Sequence, residues 1–144
     1  MDQPHLVVGE GAITGWLLDT SAAVRIDNPN VRAHLLELAG KLHLCPVGQL
    51  KQLYSARSAR EYDELNDDLA EAFPIVPAPA DVFGQALSIQ QDLAHHHGMW
   101  HRVAIPDLLL AVTALHHNMG VVHVDADFDR IAEVRSLVAR RLQL

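Results

Sequence analysis

The chain reads as short apolar runs separated by longer stretches of helical periodicity. Trp16-Leu17-Leu18 is a three-residue apolar run ending at Asp19, and Thr20-Ser21 is a capping pair that opens a helix over Ala22 to Arg25. Asn30 is placed to cap a second helix, with Val31, Leu35, Leu38 and Ala39 at helical spacing and Gly40 as its stop. Leu42 to Cys45 predicts a second strand, closed by Pro46. A helix follows over Val47 to Arg57, with Leu50, Leu53 and Tyr54 on one face. From Ser58 to Phe73 the apolar residues Tyr62, Leu65, Leu69 and Phe73 line one side of a charged, amphipathic helix. Pro74, Pro77 and Pro79 bracket Ile75-Val76 as a brief strand or an extended connection. Asp81 to His97 is helical again and stops at Gly98. Pro106 suits the first position of a very apolar helix, Asp107 to Asn118, which Gly120 ends. Val121 to Val124 predicts a buried β-branched strand, and Asp125-Ala126-Asp127 leads into a last helix from Phe128 to about Leu142.

Short apolar strands alternating with helices predict an α/β fold: a short central parallel sheet with helices on both faces, in three layers. The length of 144 residues is that of one domain, read as residues 16–144 with a loose N-terminal extension over 1–15. In such sheets the loops after the carboxyl ends of the strands form the ligand crevice. Asp19 and Asp125 each follow a predicted strand directly, and Asp107 opens a buried helix, where the helix dipole favours a carboxylate. Three acids remote in sequence are thereby expected at one end of the sheet.

Composition narrows the setting. Cys45 is the single cysteine, so an intrachain disulfide is impossible and a reducing cytoplasm is the natural compartment. The apolar stretches fall far short of the roughly 20 residues that cross a bilayer, and the start lacks the features of a signal peptide, so no membrane role is expected. The net charge of −7 counts against simple electrostatic binding of nucleic acid. Contact with RNA would have to be local and compensated by cations. The acidity fits a pocket of carboxylates built for metal.

Each aspartate alone has an ordinary explanation, as a helix cap or an Asx turn. Together they suit hard, oxygen-seeking cations such as Mg²⁺ or Mn²⁺, and crowding them without a cation raises their pKa values. A metal held this way supports phosphodiester hydrolysis.

Four segments carry a family resemblance: Trp16 to Ala22, Leu53-Tyr54-Ser55-Ala56-Arg57, Pro106 to Ala111, and His123 to Asp129. In this order and spacing the chain resembles the PIN domains of VapC-type toxins, from about residue 16 to residue 134. The resemblance implies that Asp19, Asp107 and Asp125 are metal ligands, with Asp127 a further acid beside the catalytic site. It also implies Mg²⁺- or Mn²⁺-dependent ribonuclease activity on structured RNA such as tRNA or rRNA, a homodimer, and neutralisation by a small VapB-like antitoxin. Antitoxin contact is expected near Leu65 and Leu69.

The family usually carries a glutamate early in the helix leading to Leu53. That place is assigned to Gln49, with Lys51 where a further acid is sometimes seen. Glutamine offers a carbonyl oxygen but cannot act as a base. The chain is thus a working nuclease with three or four aspartates, a degenerate copy acting as a binding protein, or an enzyme disarmed by the introduction of Gln49. Thr20 and Ser21, beside Asp19, and Arg57, Arg60 and Arg102 are candidates for substrate contact, since guanidinium forks match phosphate oxygens. His95-His96-His97 with His101 reads as a polar helix end rather than a zinc site, because consecutive helical residues point in different directions. A receiver domain would need a late lysine, and no lysine follows Lys51. A dinucleotide-binding turn would need a third glycine where Thr14 stands.

Overall fold

The computed structural model describes residues 13–144. Four strands, β1 (Trp16–Leu18), β2 (Leu42–His43), β3 (Gly120–His123) and β4 (Ala139–Arg141), form one all-parallel sheet in the order β2-β1-β3-β4. Between them run α1 (Thr20–Ala23), α2 (Pro29–Glu37), α3 (Pro46–Leu53), α4 (Ala59–Ala72), α5 (Val82–His96), α6 (Ile105–His116) and α7 (Ala126–Ala132), with a 3₁₀ turn at Trp100–Arg102. The expected α/β class and parallel sheet are both present.

Successive strand residues point to opposite faces, and both faces are covered. Leu17 and Val121 pack with Ile89 and Leu93 of α5, Leu110 of α6, and Phe128 and Ile131 of α7. Trp16, Leu18 and Val122 turn the other way, onto Ala22, Val31, Leu35 and Leu69. Burying a side chain the size of Phe128, fully enclosed here, stabilises the fold by about 2–3 kcal/mol.

Several boundaries differ from the sequence reading, each for a local reason. Asn28, not Asn30, caps α2: its Oδ1 accepts from the N–H groups of Asn30 and Val31 at 2.9 and 3.2 Å. Pro29 takes the first helical turn, where its fixed φ is favourable, so the cap falls on Asn28, two residues before Asn30. Helix α6 ends at His116 with His117 as its cap, and Asn118, just beyond it, adopts the left-handed conformation at φ 55°. Gly120 instead begins β3 because it has no side chain. A Cβ there would lie 2.6 Å from Cζ3 of Trp16 on the neighbouring strand. Residues 13–15, read as the end of a loose extension, are tied into the fold. Thr14 N–H donates to Asn118 O at 2.9 Å, and Gly15 O accepts from Gly120 N–H at 3.0 Å. Residues 1–12 lie outside the described residues.

The long final helix is the main correction. It ends at Ala132, and Ala139–Arg141 forms an edge strand in register with β3, Val121 opposite Ala139. Ala-Arg-Arg has no strand alternation; the free edge of β3 supplies its hydrogen bonds. The Arg140 guanidinium lies over the Trp16 ring, 4.6 Å from its centroid. Ile75 makes only an isolated bridge to Leu44, so Ile75-Val76 is an extended connection.

Candidate functional site

The register of β1 and β3 brings the first two acids together. Leu18 lies opposite Val122, and each strand ends within a few residues of an aspartate. Asp19, 1% exposed, donates its N–H to Val122 O at 3.0 Å. Its Oδ2 accepts from Ser21 N–H at 3.0 Å, capping α1. Ser21 Oγ in turn accepts from Val124 N–H at 3.1 Å, which links the Asp19 loop to the loop after β3. Asp125 caps α7 through Asp127 N–H at 3.0 Å. Asp107, 2% exposed, is in the first turn of α6.

Asp107, Asp125 and Asp127 each place one oxygen within 4.8 Å of the others, the group of metal-ligating side chains found among the described residues. Oxygens on opposite sides of one Mg²⁺ are about 4.2 Å apart at 2.1 Å per bond. The trio is therefore close to the size of one partly hydrated ion, and three carboxylates are the right donors for it. Asp127 is also used structurally: Oδ2 accepts from Ala104 N–H at 3.0 Å and Oδ1 from Arg130 at 3.3 Å. The Ala104 bond fastens the start of α6 to α7, and the Arg130 contact lies within α7.

Asp19 stands beside this trio but is joined to it by a lysine. Lys51 Nζ lies 2.6 Å from Asp19 Oδ1 and 2.9 Å from Asp107 Oδ1. Burial works against the ammonium, yet Asp19 and Asp107 together hold its pKa above the ordinary lysine value. Burial pushes the Asp107 carboxyl up to about 6; Lys51 pulls it down, and the charges of Asp19 and Asp125 add to the rise. The donor set thus fits a divalent ion at Asp107, Asp125 and Asp127, whereas the Asp19–Asp107 side already has a cation.

On α3 the side chain that reaches the acids is Lys51, with Nζ on Asp19 and Asp107, while Gln49, expected at the site, is half-buried on the same helix. Two residues correspond to about 200° around a helix, so the two side chains leave α3 on nearly opposite sides. The face expected for Leu50, Leu53 and Tyr54 is also out of phase. Leu50 is 67% and Tyr54 91% exposed, while Val47, Gly48 and Lys51 turn inward and Leu53 packs below. The spacing of Val47, Gly48 and Lys51 was the available signal.

His123 carried no weight in the sequence but is fully buried at the end of β3. Its Nδ1 accepts from Asp125 N–H at 3.1 Å, which leaves the proton on Nε2, 3.5 Å from Asp129 Oδ1. Burial lowers its pKa, partly opposed by Asp129. The neutral imidazole positions the Asp125 loop.

Of the other candidates, Thr20 is half-buried beside Asp19, and its Oγ1 is enclosed without a hydrogen-bond partner among the described residues. Arg102 is exposed on the 3₁₀ turn, two residues before the Ala104 amide that Asp127 holds. Arg57 is exposed between α3 and α4; Arg60 pairs with Glu64 at 2.9 Å on the surface of α4. His96 and His97 pack on the Trp100 ring at 5.5 and 4.9 Å rather than converging on a metal.

Comparison with known proteins agrees with this geometry. The family model described as PIN domain matches residues 16–134. The chain is 48% identical over 126 residues to Ribonuclease VapC17 of Mycobacterium tuberculosis, covering 85% of this chain and 91% of that protein. It is 39% identical to Ribonuclease VapC21 of the same organism over 84% of this chain and 88% of that one. Among solved structures, VapBC2 from Rickettsia felis bound to a DNA fragment from its promoter superposes with a TM-score of 0.70 at 17% identity, over 89% of this chain and 98% of that one. VapBC-5 from Mycobacterium tuberculosis gives 0.65 at 19% identity, over 89% and 98%. At such identities the structures speak for the fold alone. With strand-end aspartates gathered at one rim of a parallel sheet and close relatives over nearly the whole chain, this protein belongs to the PIN-domain family, among its VapC members.

Proposed function

We propose that this chain is an endoribonuclease toxin that cuts structured RNA with the help of Mg²⁺ or Mn²⁺ and is neutralised by a VapB-like antitoxin. The observation that carries the reading is the trio Asp107, Asp125 and Asp127, with ligand oxygens within 4.8 Å, beside buried Asp19. A divalent ion at this place supplies a lowered pKa for water and neutralisation of charge on the leaving oxygen. The residues of the chain do the rest. Asp107 and Asp125 offer their oxygens from the start of α6 and the end of β3. Asp127 ties the start of α6 to α7 through the Ala104 amide, and His123 holds the Asp125 amide. Exposed Arg102, two residues before the Ala104 amide that Asp127 holds, is the candidate to meet an RNA phosphate, and Thr20, with its enclosed Oγ1 unpartnered among the described residues, is the candidate beside Asp19.

Partner binding has its own support. A groove of about 330 Å³ opens between α1, α2 and α3, lined by Leu18, Ala23, Ile26, Leu36, Gln52 and Phe73 among others. Of the expected contacts, Leu69 is 6% exposed and Leu65 is half-buried against the same core cluster. Exposed Leu50 and Tyr54 at α3 are further candidate antitoxin contacts. A second apolar hollow beside Phe83, Leu87 and Ile105 suits a homodimer face. No helix of the described residues is long and apolar enough to cross a membrane. Buried, unpaired Cys45 suits a reducing cytoplasm.

The test is cleavage of total tRNA and rRNA by purified protein with Mg²⁺ or Mn²⁺. Cutting abolished by a chelator, and reduced at least ~100-fold by Asp107→Asn, is the expected result. Undiminished cutting by Asp107→Asn rejects the site. A second reading, a PIN domain that binds antitoxin or RNA without cutting, is favoured by the single observation that Lys51 rests on two of the acids. Antitoxin binding without cleavage under any metal would establish it.

A further inference from the structure

The Lys51 ammonium stands where a metal-binding carboxylate cluster would ordinarily be left negative. It is only 23% exposed, its partners Asp19 and Asp107 are almost wholly enclosed, and one point charge bridges both. A lysine has three donors and a fixed positive charge at neutral pH, so it satisfies two buried carboxylates as a small cation would. Asp107 is shared: its carboxylate belongs both to this bridge and to the trio with Asp125 and Asp127. A divalent ion binding the trio must therefore either take Asp107 from the ammonium or accept a like charge in contact with one of its ligands. Both outcomes oppose binding. The bridge also removes the need for metal in folding, because the two most buried acids are already paired.

We propose that Lys51 is a tethered counter-ion that competes with the divalent metal for Asp107, so that the acidic site is complete without metal and accepts it only when the lysine side chain withdraws. The proposal rests on the reading of the trio as a metal site, but not on RNA being cut there. It turns an ordinarily metal-hungry site into one gated by a side chain of its own helix α3.

Two measurements test it. Mn²⁺ binding by calorimetry is expected to tighten at least about tenfold in Lys51→Gln and to stay at the wild-type level in Lys51→Arg, which keeps the charge. The metal-free melting temperature of the wild type should be unmoved by chelator, and that of Lys51→Gln should be lower and recover with Mn²⁺. Equal affinity in wild type and Lys51→Gln, or no binding by either, overturns the proposal. Should Lys51→Gln not fold, the wild type decides alone, since Lys41 and Lys51 are the two lysines of the chain. Acetylation followed by mass spectrometry is expected to modify exposed Lys41 and spare Lys51, with Lys51 becoming reactive as Mn²⁺ saturates the protein. Lys51 acetylated as fast as Lys41 without metal, or still protected at saturation, overturns it as well. Tight Mn²⁺ binding by Lys51→Gln with no RNA cleavage by any variant would remove the nuclease reading and leave this one standing.

Discussion

Gly120→Ala tests how the strands that carry the acids are held in register. Asp19 follows β1 and Asp125 follows β3, and the pairing of Trp16 with Gly120 sets one against the other. A Cβ on residue 120 would stand 2.6 Å from Trp16 Cζ3, 2.7 Å from Cε3 and 3.0 Å from Val138 O. Ordinary carbon contacts are about 3.5–4.0 Å, so the ring must retreat by roughly 1 Å. Trp16 is 4% exposed and lies under Arg140, and the Val138 carbonyl blocks retreat by the strand itself. Overpacking of this kind costs about 1–3 kcal/mol. For a chain of this size that is a fall of roughly 3–9 °C in melting temperature. The assay is equilibrium urea unfolding of wild type, Gly120→Ala, Trp16→Leu and the double variant. If the Trp16 ring is the obstacle, the cost of Gly120→Ala falls below about 0.5 kcal/mol once Trp16 is leucine, a coupling typical of contacting residues. An undiminished cost in the Trp16→Leu background would refute the reasoning.

Three further predictions bear on the framework of the site. Phe128→Ala, at a fully buried position, should destabilise by about 3–5 kcal/mol in the same urea assay. Asn28→Ala removes two cap hydrogen bonds from α2 and should cost about 1 kcal/mol, visible as a lower urea midpoint at unchanged slope. His123 is held neutral by burial, so the unfolded imidazole takes a proton from 6.5 downward while the folded one does so only at lower pH. Its contribution to stability is present above pH 6.5 and lost as the pH falls below it. Asp107, raised from 3.8 to about 6, acts in the opposite sense in an overlapping range, gaining a proton in the folded state first. Subtracting the stability profile of His123→Gln from that of the wild type isolates the histidine; a difference that does not shrink below pH 6.5 would contradict the assignment.

The sequence by itself determined the alternation of strands and helices, the aspartates that end strands, and the acid that opens the apolar helix. These are local properties, written in periodicities of 2 and 3.6 and in the chemistry of a few neighbours. That is why Asp19, Asp107 and Asp125 could be picked out and why the parallel sheet followed. The phase of α3 was not local. Leu50, Leu53 and Tyr54 make a plausible inner face, but packing of α3 on the acids and on α6 turns Val47, Gly48 and Lys51 inward and leaves Leu50 and Tyr54 in solvent. One helix rotated by about 200° exchanges a neutral glutamine for a cation in the middle of the site. Strand β4 was likewise beyond the sequence, since its three residues have little preference of their own and are extended because the edge of β3 stands open beside them. Which side chains face the acids depends on free energies of packing between segments far apart in the chain, and only the folded molecule contains those contacts.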